Sequence, residues 1–385
     1  MEERIYLDNA ATTPIDPEVL DAMIPVLKDF YGNPSSAHAH GRKVKALLEE
    51  SRAKVASLLG GAPAEITFTS GGTEADNMAI RGAVSTLGVK HIITSPIEHH
   101  AVLHTVEALH HEGKAEMSMV ALDALGHVDF NHLETLLQAH PNALVSLMHG
   151  NNEIGNLLDI QRAGALCRKY QAYFHSDTVQ TMGHYAFNLA EMPIDFLACG
   201  AHKFNGPKGV GFIYMNKKSK VHAYITGGSQ ERELRGGTEN VYGIVGLAKA
   251  LEISYRNLQE KSAYIQSLKS LMIRELRSSI ADIRFNGDAE GSCLYTVLSA
   301  SFPPHPQGDM LLFNLDLAGI SASGGSACTS GAVGGSHVIH GIGGDPGRTT
   351  IRFSFGKFNT EEDILKTVQI LRQWYPAPEG SSLGM

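Results

Sequence analysis

Cysteine is scarce in this chain: four residues in 385, at positions 167, 199, 293 and 328, with no Cys-x-x-Cys pair among them. That scarcity excludes a disulfide framework and a structural zinc site, and each thiol has to be read from its own surroundings. Positive charge is also short, with Lys+Arg 32 against Asp+Glu 40 and a net charge of −8. A general affinity for nucleic acid or an acidic membrane surface is therefore not expected. No apolar run approaches the roughly 18 residues of a membrane span, and Met1-Glu2-Glu3-Arg4-Ile5 does not read as a signal peptide. The expectation is a cytoplasmic protein with no membrane partner and no direct nucleic-acid partner. His is frequent at 19, yet no His-Glu-x-x-His spacing occurs, which makes a metal hydrolase a weak competitor and leaves the expected metal as none. Neither a Gly-x-x-x-x-Gly-Lys-Ser/Thr loop nor a Gly-x-Gly-x-x-Gly fingerprint is present. Nucleotide sites are thereby disfavoured, and a small phosphorylated cofactor stays open.

What is present describes a globular protein large enough for two domains: 43% hydrophobic, 19% charged, 41.5 kDa. Asp16-Pro17-Glu18 reads as a helix start, running to about Phe30. Val44, Leu47, Leu48, Val55, Leu58 and Leu59 fall at helical spacing before Gly60-Gly61. Strand-like runs then recur, each with a polar end: 65–69 before Ser70-Gly71-Gly72-Thr73, 91–95 before Glu98-His99, 145–149 before Asn151-Asn152, and 173–176 before Asp177. Strand, polar end and helix in alternation is the pattern of a parallel α/β sheet with its ligand at the carboxyl edge. Gly71 and Gly72, at the start of a helix, make a candidate phosphate cup, to which Thr73 adds a hydroxyl. Val241 to about Lys269 reads as one long connecting helix, followed by a strand at 294–298, a helix at 309–317 and a strand at 350–355.

The run from Asp195 to Tyr214 contains His202-Lys203 at the end of a strand, then a Gly-Pro-Lys-Gly turn and a second strand. A lysine leaving a buried strand among Gly and Ala loses part of its hydration, which favours the nucleophilic free amine. Asp177 upstream would pair with the protonated ring nitrogen of pyridoxal phosphate, and Gln180 would donate to the ring's phenolate oxygen. Taken alone, Lys203 reads first as a surface lysine beside a turn, and Asp177 is equally a helix N-cap.

At these residues the chain resembles the class V aminotransferase family of fold-type I pyridoxal phosphate enzymes, and within it the cysteine desulfurases of the NifS/IscS kind. The resemblance runs from Tyr6-Leu7-Asp8-Asn9-Ala10-Ala11-Thr12-Thr13 to about Ile364. It implies an α/β fold: a large domain with a mainly parallel seven-stranded sheet flanked by helices, plus a smaller α+β domain. The expected boundaries are 16–256 for the large cofactor-binding domain, 1–15 with 257–376 for the small one, and a tail at 377–385.

The resemblance also assigns roles. Lys203 holds the cofactor covalently, His99 stacks on its ring and carries protons, and His202 adjoins it. Gly72, Thr73, Asn152, Asp177 and Gln180 bind it, and Thr238, in the Arg235-Gly236-Gly237-Thr238 turn, reaches the cofactor phosphate of a second subunit, implying a homodimer. Arg352, with Asn33, holds the substrate carboxylate, for which a guanidinium fork is suited, and Asn152 contacts the ring oxygen and the substrate; taken alone, Arg352 is equally a structural ion pair. Cys328, in the Gly/Ser/Ala-rich stretch 321–337 read as a mobile loop, is the nucleophile, whereas Cys167, Cys199 and Cys293 read as packed structural thiols.

The implied reaction converts L-cysteine to L-alanine and leaves a persulfide for a sulfur-acceptor protein, an iron–sulfur scaffold or a thiolation protein. A selenocysteine lyase, an aminotransferase and an idle scaffold are the alternatives. One position departs from the family: Gly200 stands where a phosphate-binding Ser is usual, three residues before the lysine.

Overall fold

In the computed structural model, residues 4–324 and 335–375 are described. Seven strands form the main sheet in the order Ile66–Thr69, Gly211–Met215, Phe196–Gly200, Tyr173–Asp177, Leu144–Ser146, His91–Thr94, Glu116–Met119. Gly211–Met215 runs antiparallel to both of its neighbours, and the pairings from Phe196–Gly200 to Glu116–Met119 are parallel. The α/β class and its mainly parallel sheet follow the sequence pattern. The near-continuous apolar strands reflect burial on both faces: Leu197 and Cys199 join one core, while Phe196 and Ala198, alternating with them, join another across the sheet.

A separate core lies beneath a three-stranded antiparallel sheet, Thr349–Ser354, Val297–Phe302 and Arg284–Phe285. Helices Leu258–Ser279 and Glu361–Leu371 pack together on it. The N-terminal strand Ile5–Tyr6 pairs with Ile320–Ser321, and Leu7 enters this core rather than the larger ones.

The helix Pro17–Asp29 starts as expected, with Asp16 accepting from the Glu18 N–H at 2.8 Å. The helix read from 241 to 269 is instead two, Val241–Arg256 and Leu258–Ser279. The break falls at Asn257, whose φ of −133° and ψ of 43° are not helical. Apolar spacing continues through both segments, so periodicity alone does not reveal the change of axis. The strand expected at 294–298 lies at Val297–Phe302, and the helix expected from 309 begins at Leu311 after a short 3-10 turn.

Candidate functional site

The carboxyl ends of the strands open on a cavity of about 220 Å³. Gly72, Thr73, His99, Asn152, Asp177, Gln180, His202, Lys203 and Arg352, far apart in the chain, all line it. Asn33 does not line it. It is exposed, and its side-chain oxygen accepts from the Ser35 N–H at 2.9 Å, closing its own turn. Thr238 is likewise exposed and outside the lining. Cys328 lies outside the described residues, as do most of the stretch 321–337 and the tail.

The cup is built from steric constraints. The helix Gly72–Ser85 begins directly after the strand Ile66–Thr69 and its short turn. A Cβ on Gly72 would come within 2.4 Å of Val179 Cγ2, so only glycine fits there. A Cβ on Gly211 would come within 2.1 Å of the Cys199 carbonyl oxygen, which keeps the neighbouring strand close under the cup. Gly200 differs: a Cβ there would meet Gly72 N at 3.4 Å and His202 Cδ2 at 3.6 Å, both ordinary contacts. The Glu74 carboxylate receives Arg235 Nε at 2.9 Å and Nη2 at 3.2 Å, tying the 232–240 segment to the first turn of this helix.

Lys203 stands half-buried just past the strand Phe196–Gly200, and its Nζ donates to the Ala10 and Ala11 carbonyls at 2.6 and 2.8 Å. Gln180 Nε2 also donates to the Ala10 carbonyl, at 3.0 Å. The Tyr6–Thr13 segment is thus part of the cavity wall. His99 caps the helix His100–His111, its Nδ1 accepting from Ala101 N at 3.1 Å, which leaves the ring proton on Nε2. Burial, reinforced by the charge on Lys203, lowers His99 to about 4, so the ring is neutral near pH 7. Burial similarly lowers His202 to about 4. Asp177 is raised to about 6 by burial, against which the Val179 N–H at 2.9 Å and the Lys203 charge favour its ionised form.

Arg352 is only 1% exposed. It donates through Nη1 to the Asn152 carbonyl and through Nη2 to Asp8 Oδ1, each at 2.9 Å. Its Nε has no hydrogen-bond partner among the described residues. Asp8 sits in the Tyr6–Thr13 motif, which does not by itself mark it as a partner of Arg352. Asp76 and Glu98 are not among the expected site residues; burial raises Asp76 well above the usual carboxylate range and Glu98 to about 8. A signal for Asp76 was available, since it follows Gly72 and Thr73 by four and three residues and so shares their helix face.

Of the three cysteines described, Cys167 and Cys199 are packed in the core, where burial pushes both thiols up. Cys293 is half-buried rather than core, its sulfur 3.0 Å from Lys269 Nζ. Among the described residues, no three His, Cys, Asp or Glu side chains gather as a metal ion would require, and no helix is long and apolar enough to cross a membrane.

Sheet order and cavity together define a fold-type I α/β enzyme, with its ligand site at the carboxyl edge of a seven-stranded sheet. The chain belongs to the aminotransferase class-V family, which it matches over residues 5–366. It is 43% identical over 378 residues to cysteine desulfurase IscS of Dictyoglomus turgidum, covering 97% of this chain and 95% of that one. Among solved structures, a NifS-like protein superposes with a TM-score of 0.89 at 36% identity, covering 96% of this chain and 99% of its own. SspA, solved in complex with cysteine, superposes with a TM-score of 0.80 at 30% identity over 92% of this chain and 100% of its own.

Proposed function

We propose that the protein is a pyridoxal phosphate-dependent cysteine desulfurase, converting L-cysteine to L-alanine and leaving the sulfur as a persulfide on Cys328. The relatives named as cysteine desulfurases and the neighbour solved with cysteine support this reading. The donor set fits the cofactor. A glycine cup at a helix start suits a phosphate, a buried acid suits a pyridine nitrogen, an imidazole suits a ring face, and a strand-end amine suits a carbonyl. Gly72 and Thr73 would hold the phosphate, and Asp177 the ring nitrogen. His99, Asn152, Gln180 and His202 would surround the ring, and Thr238 would serve the phosphate of a second copy in a homodimer. When bound, pyridoxal phosphate supplies an electron sink for bonds broken at the substrate's Cα and Cβ.

The chain's own groups do the rest. The Lys203 amine would take the Cα proton, and neutral His99 would pass protons through Nε2. Arg352, with its unpartnered Nε, receives the substrate carboxylate. The Cys328 thiolate attacks the substrate sulfur; the new S–S bond forms as the C–S bond breaks, with the bonding electrons going to carbon, which is then protonated to give alanine. Transfer of the outer sulfur to an acceptor protein completes the cycle.

One observation carries the role of Cys328: the segment containing it is tied to the cavity on both sides. Ser323 exchanges backbone hydrogen bonds with Arg352, at 3.3 and 2.7 Å. Ser336 bonds Glu153, beside Asn152, and His337 Nε2 bonds the Glu98 carbonyl, beside His99, at 2.9 Å. Cys328 follows Ser323 by five positions, and five residues of extended chain can span up to about 18 Å. A single turnover with L-cysteine and no reductant should yield about one alanine per subunit, with the added sulfur on Cys328 by mass spectrometry. Lys203→Ala should lose the cofactor's colour. Cys328→Ser should keep it and accumulate no persulfide; persulfide in that variant would sink the assignment.

A further inference from the structure

Two buried side chains, one lining the cavity and one packed against it, have no part in this chemistry. Asp76 lines the cavity beside Asp177. His175 precedes Asp177 by two residues on the strand Tyr173–Asp177, so both point to the same face of the sheet. Asp76 and His175 are 1% and 0% exposed. Asp76 Oδ1 and His175 Nε2 lie 3.3 Å apart, and neither has a hydrogen-bond partner among the described residues. On the far side of the ring, His175 Nδ1 is 2.8 Å from Ser146 Oγ.

Two unpartnered buried atoms facing each other are costly unless one proton serves both. The surroundings decide where that proton resides. Asp177 has the Val179 N–H and the charge of Lys203 to favour ionisation. Asp76 faces the acids Asp177 and Glu98, and both raise it further. Two adjacent carboxylates in a dry pocket do not both ionise. Burial lowers His175 to about 3, so the ring is a neutral acceptor rather than an imidazolium.

We propose that Asp76 is held as the neutral acid, donating to His175 Nε2, and that this pair positions Asp177 as the ionised partner of the cofactor's ring nitrogen. The inference rests on the reading of the cavity as a pyridoxal phosphate site. The proton accounting closes: the acid proton lies between Asp76 and Nε2, the ring proton on Nδ1 faces Ser146, and the pair carries no net charge. Asp177 is then left as the ionised carboxylate of the two. Asp76 is a positioning residue, since it acts through Asp177.

The test compares Asp76→Asn, which retains a neutral donor toward Nε2, with Asp76→Ala, which does not. The dissociation constant for pyridoxal phosphate should stay within about threefold of the parental value in Asp76→Asn and rise about tenfold or more in Asp76→Ala. A second measurement needs no cofactor: the side-chain nitrogen-15 shifts of His175 in the protein as purified, assigned through His175→Gln. The ring should be neutral and protonated on Nδ1 from pH 5 to 8. An imidazolium at pH 7, or Asp76→Asn binding as weakly as Asp76→Ala, overturns the inference while leaving the cofactor reading intact. A parental protein with no affinity for pyridoxal phosphate would instead overturn the reading of the cavity, and the positioning role with it.

Discussion

Gly200 shows how a single residue can separate what a site needs from what it tolerates. Gly72 and Gly211 exclude any side chain, but Gly200 has room for a Cβ at ordinary contact distance from the cup's own backbone nitrogen at Gly72. Restoring a hydroxyl there adds a donor to a phosphate without a clash, and a hydrogen bond to a charged group contributes about 1.5–3 kcal/mol. Gly200→Ser is therefore expected to tighten pyridoxal phosphate binding about tenfold, measured by equilibrium titration of the stripped protein. Unchanged or weaker binding would mean that the phosphate lies away from Gly200. The glycine departure is legible in the sequence; the space that surrounds it is not.

Among the elements, the segment that follows the antiparallel strand Gly211–Met215 is held against its own backbone preference. Glu231, Arg232 and Glu233 all have positive φ, at 46°, 59° and 66°, a conformation side-chain-bearing residues adopt at a cost. A buried bidentate pair holds the segment there: Arg52 Nη1 and Nη2 reach the Glu231 carboxylate at 2.7 and 2.8 Å, and Phe68 N donates to the same group at 2.8 Å. Removing the guanidinium leaves a buried carboxylate without its counter-charge. Arg52→Ala should cost about 3–5 kcal/mol in urea unfolding, and a loss below about 1 kcal/mol would show the segment to be held by other contacts. Helix starts were readable because capping is local, as at Asp16. The Asn257 break and the Arg52–Glu231 pair, 179 residues apart, were not, because neither leaves a trace in neighbouring residues.

At the scale of the molecule, burial of ionisable groups sets the pH range of stability. His99, His149 and His202 are lowered to about 4, and His175 and His184 to about 3, in each case chiefly by burial. An unfolded histidine titrates near 6.5. Between that value and about 4 the unfolded chain binds more protons, so stability falls as pH falls through this window. Glu98, raised to about 8, and Asp177, raised to about 6, act oppositely: the folded state binds more protons above the usual carboxylate range, and stability falls as pH rises toward those values. Five histidines outweigh the acids below pH 6.5; from there to about pH 8, where Lys261, lowered to about 8 by burial, begins to act in the opposite sense, the raised acids Glu98 and Asp76 set the slope. The Tm should peak between about pH 6 and 7 and fall on both sides, as thermal unfolding from pH 5 to 9 would show. A Tm still rising at pH 8 would contradict this balance.

The sequence by itself determined the α/β class, the glycine cup, and the identity of the cavity's Lys203, Asp177, His99 and Arg352. Each is signalled within a few residues by the end of a strand, a turn or a motif. Only the tertiary structure decided which groups face them. Arg352 meets Asp8 across 344 positions, Lys203 reaches the carbonyls of Ala10 and Ala11, and Asp76 meets His175 with both groups buried. Asn33, given a substrate role by resemblance, is exposed in the single chain and closes its own turn. Hydrogen-bond partnership and burial arise when distant segments pack, and they set the protonation of the groups that a motif can only name.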